Sequence, residues 1–209
     1  PCGAAVSDNV YDSFLKALNA DRLSAFGGIV ALNRECTTEI AKELSDFFIE
    51  IIVAPSFTKE SLEIFSSKKN LRVIELVSLD GFNDKTSVRN INGGLLLQET
   101  DTFTVDAKSL KIVTDSKISP NAYGTIEFGW TVLKYIKSNG ILIVKNNATL
   151  GVGAGQVSRI DSVDIAITKA SGDIKDSILL SDAFFPFRDS IDKIAKSGIR
   201  CIIQPGGSK

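Results

Sequence analysis

The chain is 209 residues long, and its 24 Lys and Arg nearly balance 25 Asp and Glu for a net charge of −1, so no basic surface for nucleic acid is indicated. No apolar run approaches the roughly 20 residues that cross a bilayer. There is no histidine, and Cys2, Cys36 and Cys201 are far apart with no Cys-x-x-Cys, which leaves no ligand set for zinc and no disulfide framework. Such thiols suit a reducing compartment, so a cytoplasmic location is expected. The N-terminus shows no secretory signal.

Asp8 is placed to cap a helix that runs to about Ala20, with Val10, Phe14, Leu15 and Leu18 on one face. Gly28–Asn33 reads as a short buried strand, and Thr38–Phe48 as a helix turning Ile40, Leu44, Phe47 and Phe48 inward. Glu50–Ala54 is a nearly continuous β-branched run stopped by Pro55, the pattern of a strand covered on both faces. Thr58–Ser67 reads as a helix and Leu71–Val77 as a strand. Residues 78–93 are polar and loop-like, followed by short strands at Gly94–Gln98 and Thr102–Val105. A long helix is predicted over Asn121–Lys137, burying Ile126, Trp130, Leu133 and Ile136, and then a buried strand at Gly140–Lys145. A further helix spans Val157–Thr168, Leu179–Leu180 mark a short strand, Asp189–Ser197 is helical and Ile199–Gln204 is the last strand. Alternating strands and helices predict an α/β layered fold with a largely parallel sheet. Ile51–Pro55 and Cys201–Pro205 echo each other, each a strand that follows a helix and ends in proline.

Several segments carry more chemistry than a core requires. Ser181-Asp-Ala-Phe-Phe-Pro-Phe-Arg-Asp189 brings three phenylalanines and charges into a turn forced by Pro186, which suits a pocket for a flat, partly charged ligand or a plain hydrophobic corner. Gly151-Val-Gly-Ala-Gly155 precedes Arg159; it reads either as backbone approaching an anion or as a tight turn. It is neither a dinucleotide fingerprint nor a Walker loop. Ser138-Asn139-Gly140 lies where the long helix stops, and a left-handed helix cap is the plain alternative to a functional amide. Phe26 precedes Gly27-Gly28 at a strand start. Glu50 heads an apolar strand, where a carboxylate needs a partner or water.

Together, Ser24–Asn33, Ile51–Ser56, Lys137–Asn139, Leu150–Arg159, Ser181–Asp189 and Gln204–Ser208 resemble, in order, the AICAR transformylase domain of the bifunctional purine biosynthesis protein, whose IMP cyclohydrolase domain has no counterpart here. The resemblance implies two tandem cytidine-deaminase-like α/β/α subdomains, incomplete at both ends, dividing as residues 1–117 and 118–209. It implies formyl transfer from 10-formyl-tetrahydrofolate, the co-substrate, to the amine of AICAR. It also implies a homodimer with sites at the subunit interface, while charge and the apolar runs give no expectation of a nucleic-acid or membrane partner.

By the same resemblance Asn139 is catalytic. Phe26, Gly27, Glu50, Arg159 and Phe184 bind the nucleotide, and Ile160, Pro186 and Ser190 line the folate pocket. Asp182 is a candidate ligand for potassium or simply a capping residue. The family's proton-transfer Lys-His pair and a C-terminal substrate-binding Arg have no match, so residues 1–209 alone are expected to be inactive. The competing class of function is a non-catalytic nucleotide- or folate-binding or dimerisation scaffold.

Overall fold

A computed structural model describes residues 1–78, 85–170 and 172–207. The N-terminal half holds α1 (Val10–Ala20), α2 (Arg22–Ala25), β1 (Gly28–Ala31), α3 (Thr38–Ser45), β2 (Ile49–Ala54), α4 (Lys59–Ser66) and β3 (Arg72–Glu75). A hairpin of β4 (Thr86–Ile91) and β5 (Gly94–Glu99) follows. The remainder is α5 (Tyr123–Leu133), β6 (Ile141–Lys145), β7 (Ala148–Gly153), α6 (Arg159–Lys169), β8 (Ile178–Ser181), α7 (Arg188–Lys196) and β9 (Cys201–Ile203).

The first sheet is parallel, in the order β1-β2-β3. One of its faces packs Ile52 and Ala54 against Phe14, Leu18, Ile40, Leu44 and Phe65. The other face is barer than the β-branched run suggests: Ile29 is 66% exposed and Ile51 and Val53 are half-buried. β-branching marks a strand but does not count the layers over it. Phe48 likewise lies outside the core, because α3 ends at Ser45. Helix α1 is capped by Asn9 rather than Asp8; the Asn9 side chain accepts from the Tyr11 and Asp12 amides at 2.7 and 3.2 Å.

The second sheet, β7-β6-β8-β9, is mixed, not largely parallel. β6 runs antiparallel to both β7 and β8, and only β8–β9 is parallel. The cause is a two-residue hairpin at Asn146–Asn147, both left-handed with φ of 51° and 56°, the geometry that asparagine tolerates. β6 is buried on both faces. Leu142 and Val144 meet Ile126 and Leu133 of α5, while Ile141 and Ile143 meet Val163 and Ala166 of α6 and Ile194 of α7. This half is therefore an α/β/α sandwich. Residues near the N-terminus extend its sheet: Ala5 bridges Ala148, and Ala4 exchanges backbone and side-chain bonds with Thr149. The echoed strands are not equivalent, since β2 is central and β9 lies at an edge.

Residues 86–91, expected as loop, form β4, paired with β5 across Asn92–Gly93. Thr102–Val105 is not a strand. The predicted loop residues 79–84, and Ser208 of the last family-like segment, lie outside the described residues. Among the described residues no helix is long and apolar enough to cross a membrane.

Cys36 sits fully buried within the first core, and burial, aided by the Glu35 charge, pushes its thiol up to about 12. Only a thiolate alkylates readily. At pH 8 iodoacetamide is therefore expected to modify Cys2 while Cys36 stays unlabelled in the native protein. Peptide mass mapping that finds Cys36 modified as fast as Cys2 would contradict this burial.

Candidate active site

The antiparallel register of β6 and β8 sets Ile141 opposite Ser181, so the residue before β6 and the residue after β8 become neighbours. The Asp182 amide donates to the Gly140 carbonyl at 3.1 Å and locks that junction. Helix α6, packed on β6 and β7, starts at the same edge with Arg159. Three residues singled out separately in the sequence thus converge. Arg159 Nη1 donates to Asp182 Oδ1 at 2.5 Å and to Ser181 Oγ at 3.0 Å; Nη2 donates to Asn139 Oδ1 at 2.8 Å. The Arg159 and Asp182 side chains are only 11% and 20% exposed, so water screens this pair weakly. Burial would raise the Asp182 pKa, but hydrogen bonds from Ser138, from Arg159 and from the Gly140 backbone outweigh it and hold the carboxyl below its ordinary value.

Asn139 does not act as a left-handed helix cap: it is not among the residues with positive φ, and α5 already ends at Leu133. Its amide orientation follows from chemistry. A guanidinium only donates and a carbonyl only accepts. Oδ1 must therefore face Arg159, and Nδ2 donates to the carbonyls of Gln156 at 2.9 Å and Val157 at 3.1 Å. Its own carbonyl accepts from Ser162 Oγ at 2.8 Å. Arg159 commits both Nη1 hydrogens and one Nη2 hydrogen; no hydrogen bond among the described residues uses Nε–H.

The glycine run is not an anion cradle. Gly151 and Gly153 belong to β7 and let it press on α6: an added Cβ would lie 2.1 Å from the Ala166 carbonyl oxygen and 1.9 Å from that of Ser162. Only Gly155 turns the chain, with φ of 69° and its amide donating to the Lys137 carbonyl at 2.9 Å. That turn delivers the Gln156 and Val157 carbonyls to Asn139.

The aromatic segment divides its roles. Phe185 packs into the core on the α6–α7 side, and its amide donates to Gln204 Oε1 at 2.9 Å. Phe184 lies against Gly207, where a Cβ would come within 2.6 Å of the ring. Pro186 is exposed and Phe187 precedes α7 in the open. Ile160 is half-buried at the start of α6. Ser190 is buried, with its hydroxyl donating to Asp189 Oδ1 at 3.3 Å.

Phe26, Gly27 and Glu50 form a second group. The Phe26 ring is 65% exposed and lies 5.2 Å from that of Phe48. Gly27, with φ of 72°, donates from its amide to the Phe48 carbonyl at 2.9 Å. Glu50 is exposed near the start of β2, where water satisfies its charge. Lys169, the last residue of α6, binds Asp21 at 2.8 Å and Ser24 at 3.0 Å, tying that end of the helix to α2. At about 1.5 Å per residue, Arg159 and Lys169 lie about 15 Å apart. The two groups therefore stand near opposite ends of α6, and no hydrogen bond, ion pair or ring contact among the described residues joins them.

The sequence reading missed Ser162 and the carbonyls of Gln156 and Val157. A serine inside a helix carries no local signal of a long-range acceptor. Potassium at Asp182 would compete with Arg159 for the same carboxylate.

A family model described as AICARFT/IMPCHase bienzyme matches residues 1–169. The chain is 45% identical over 209 residues to the bifunctional purine biosynthesis protein PurH of Thermoanaerobacter sp. (strain X514). It is 44% identical over 208 residues to that of Anoxybacillus flavithermus (strain DSM 21510 / WK1), and 43% to that of Bacillus cereus (strain B4264). Each match covers 100% of this chain and 41% of the relative, so the chain spans about two-fifths of the length of the curated relatives it matches.

Proposed function

Because the chain belongs to the AICARFT/IMPCHase bienzyme family, we propose that it supplies part of a folate-dependent formyl-transfer site in purine biosynthesis. The substrates of this reading are AICAR and 10-formyl-tetrahydrofolate. The observation that carries it is the convergence of Asn139, Arg159 and Asp182 at the β6–β8 edge. The AICAR amine attacks the formyl carbon and a C–N bond forms. The tetrahedral oxyanion then collapses, the bond to folate N10 breaks, and the amine's proton ends on N10 of the departing tetrahydrofolate.

In this mechanism the chain's part is positioning and charge stabilisation. Arg159 directs its uncommitted Nε–H and Nη2–H at the nucleotide. Asn139 exchanges one of its two carbonyl bonds for the developing oxyanion. Phe184, Phe26 and Gly27 hold the aminoimidazole ring and Glu50 the polar part of the nucleotide, with Ile160, Pro186 and Ser190 on the folate side. Within one chain the Phe26 group stands toward the Lys169 end of α6, away from Arg159. A homodimer in which a second copy brings its own Phe26, Gly27 and Glu50 to Arg159 completes the site.

One observation favours a second reading. Both Asn139 amide hydrogens are engaged by carbonyls, as suits a scaffold that binds nucleotide or folate without turning it over. Incubating the intact protein with AICAR and 10-formyl-tetrahydrofolate, and following tetrahydrofolate release beside a binding titration, separates the two. Turnover is expected; binding without turnover would leave the scaffold.

A further inference from the structure

We infer that Asp182 is a positioning residue of this site: it acts through Arg159 to set the orientation of the Asn139 amide. The inference rests on the formyl-transfer reading. Asp182 is the only carboxylate among the described residues that reaches Arg159, and it takes an Nη1 hydrogen at 2.5 Å. The other Nη1 hydrogen goes to Ser181 Oγ, whose own proton is committed to the Ala183 carbonyl at 2.7 Å. Asp182 and Ser181 thereby fix the guanidinium plane from one side. With that plane fixed, Nη2 can meet Asn139 Oδ1 at 2.8 Å, and this contact turns Nδ2 toward the loop carbonyls. The order Asp182, Arg159, Asn139 has a direction, because each link joins a donor-only group to an acceptor. Asp182 also binds Ser138 and the Gly140 backbone, the residues on either side of Asn139. These contacts anchor Asp182 itself, so that its carboxylate meets Arg159 in one fixed place.

The chain of contacts makes a prediction that a merely stabilising ion pair does not. If Asp182 acts through Arg159, its loss matters only while Arg159 is present to be aimed. The experiment is a double-substitution cycle in the intact protein with Asp182→Asn, Arg159→Lys and both, reading kcat and KM for AICAR beside thermal unfolding. Each single substitution is expected to lower kcat/KM about 10- to 100-fold, the usual cost of disturbing a supporting residue or its geometry. The double variant is expected to fall no further than Arg159→Lys alone, within about twofold, whereas independent sites multiply their losses. Asp182→Glu, which keeps the carboxylate, is expected to recover part of the kcat lost in Asp182→Asn.

Multiplied losses in the double variant, or unaltered turnover in Asp182→Asn, overturn the positioning role and leave formyl transfer standing. No turnover in the unaltered protein overturns both. Should Asp182→Asn unfold at the assay temperature, the same cycle is read with Asp182→Glu, whose displaced carboxylate must show the same non-additivity.

Discussion

Asn139→Ala is expected to lower kcat for formyl transfer by about 10²–10³, the usual cost of one oxyanion donor, and to change KM far less. The amide is held from three directions: by Arg159 at Oδ1, by two loop carbonyls at Nδ2 and by Ser162 at its backbone carbonyl. These contacts fix the plane of the side-chain amide, so donation to the oxyanion asks only that one Nδ2 hydrogen leave a loop carbonyl. Alanine removes the donor but keeps the Ser162 contact, which is made to the main chain. It also leaves an Nη2 hydrogen of Arg159 and the Gln156 and Val157 carbonyls short of a partner, so some loss of stability accompanies it. The two effects separate in a Michaelis–Menten analysis run well below the unfolding temperature. Turnover equal to wild type in the folded Ala variant would remove Asn139 from the reaction. Asn139→Asp gives a further check, because it keeps the acceptor for Arg159 but faces two carbonyl oxygens with a carboxylate. It should be no more active than the alanine variant.

Gly153→Ala is expected to be the most damaging single-methyl change in the second sheet. The new Cβ would stand 1.9 Å from the Ser162 carbonyl oxygen and 2.7 Å from its carbon, both backbone atoms of α6. No rotamer relieves such a contact, so β7 must part from α6. Overpacking of this kind costs roughly 1–3 kcal/mol and occasionally more. For a chain of this size that corresponds to a fall of up to about 10 °C in Tm. Activity should fall as well, since Ser162 holds the Asn139 carbonyl. Gly94→Ala is the control: at Gly94 nothing lies within 4 Å of the added methyl, and φ is not positive. It should stay within about 0.5 kcal/mol of wild type. Calorimetry giving both variants the same Tm would show that β7 and α6 do not pack as closely as described.

Much of the local structure was open to a reader of residues. The apolar stripe Val10, Phe14, Leu15 and Leu18 announced α1, and all four residues face or border the first core. The run after Gly140 announced β6, and Ile126 and Leu133 announced the buried face of α5; that helix is shorter than expected, so Ile136 is buried just past its end, and Trp130 is only half-buried. Both hairpins carried a legible signal that went unread: Asn146–Asn147 and Asn92–Gly93 are residue pairs that accept positive φ between alternating strands. Reading the first as a strand end and the second as loop cost β7 and β4, and with them the mixed order of the second sheet.

The sequence by itself determined which side of a helix such as α1 is apolar and where strands stop at proline, while Asn139, Arg159 and Asp182 stood out through the family resemblance of the segments that carry them. The apolar sides and strand ends are set by neighbours within a few positions, and the helical and strand periods expose them. It did not determine that the three residues meet. Asn139 and Asp182 are brought together by the antiparallel register of β6 and β8, and Arg159 by the docking of α6 on β7 through Gly151 and Gly153. The same glycines read equally well as a loop for an anion, because a missing side chain says only that something comes close. Whether that something is a phosphate or a helix backbone depends on burial and register between distant segments, and only the folded chain decides it.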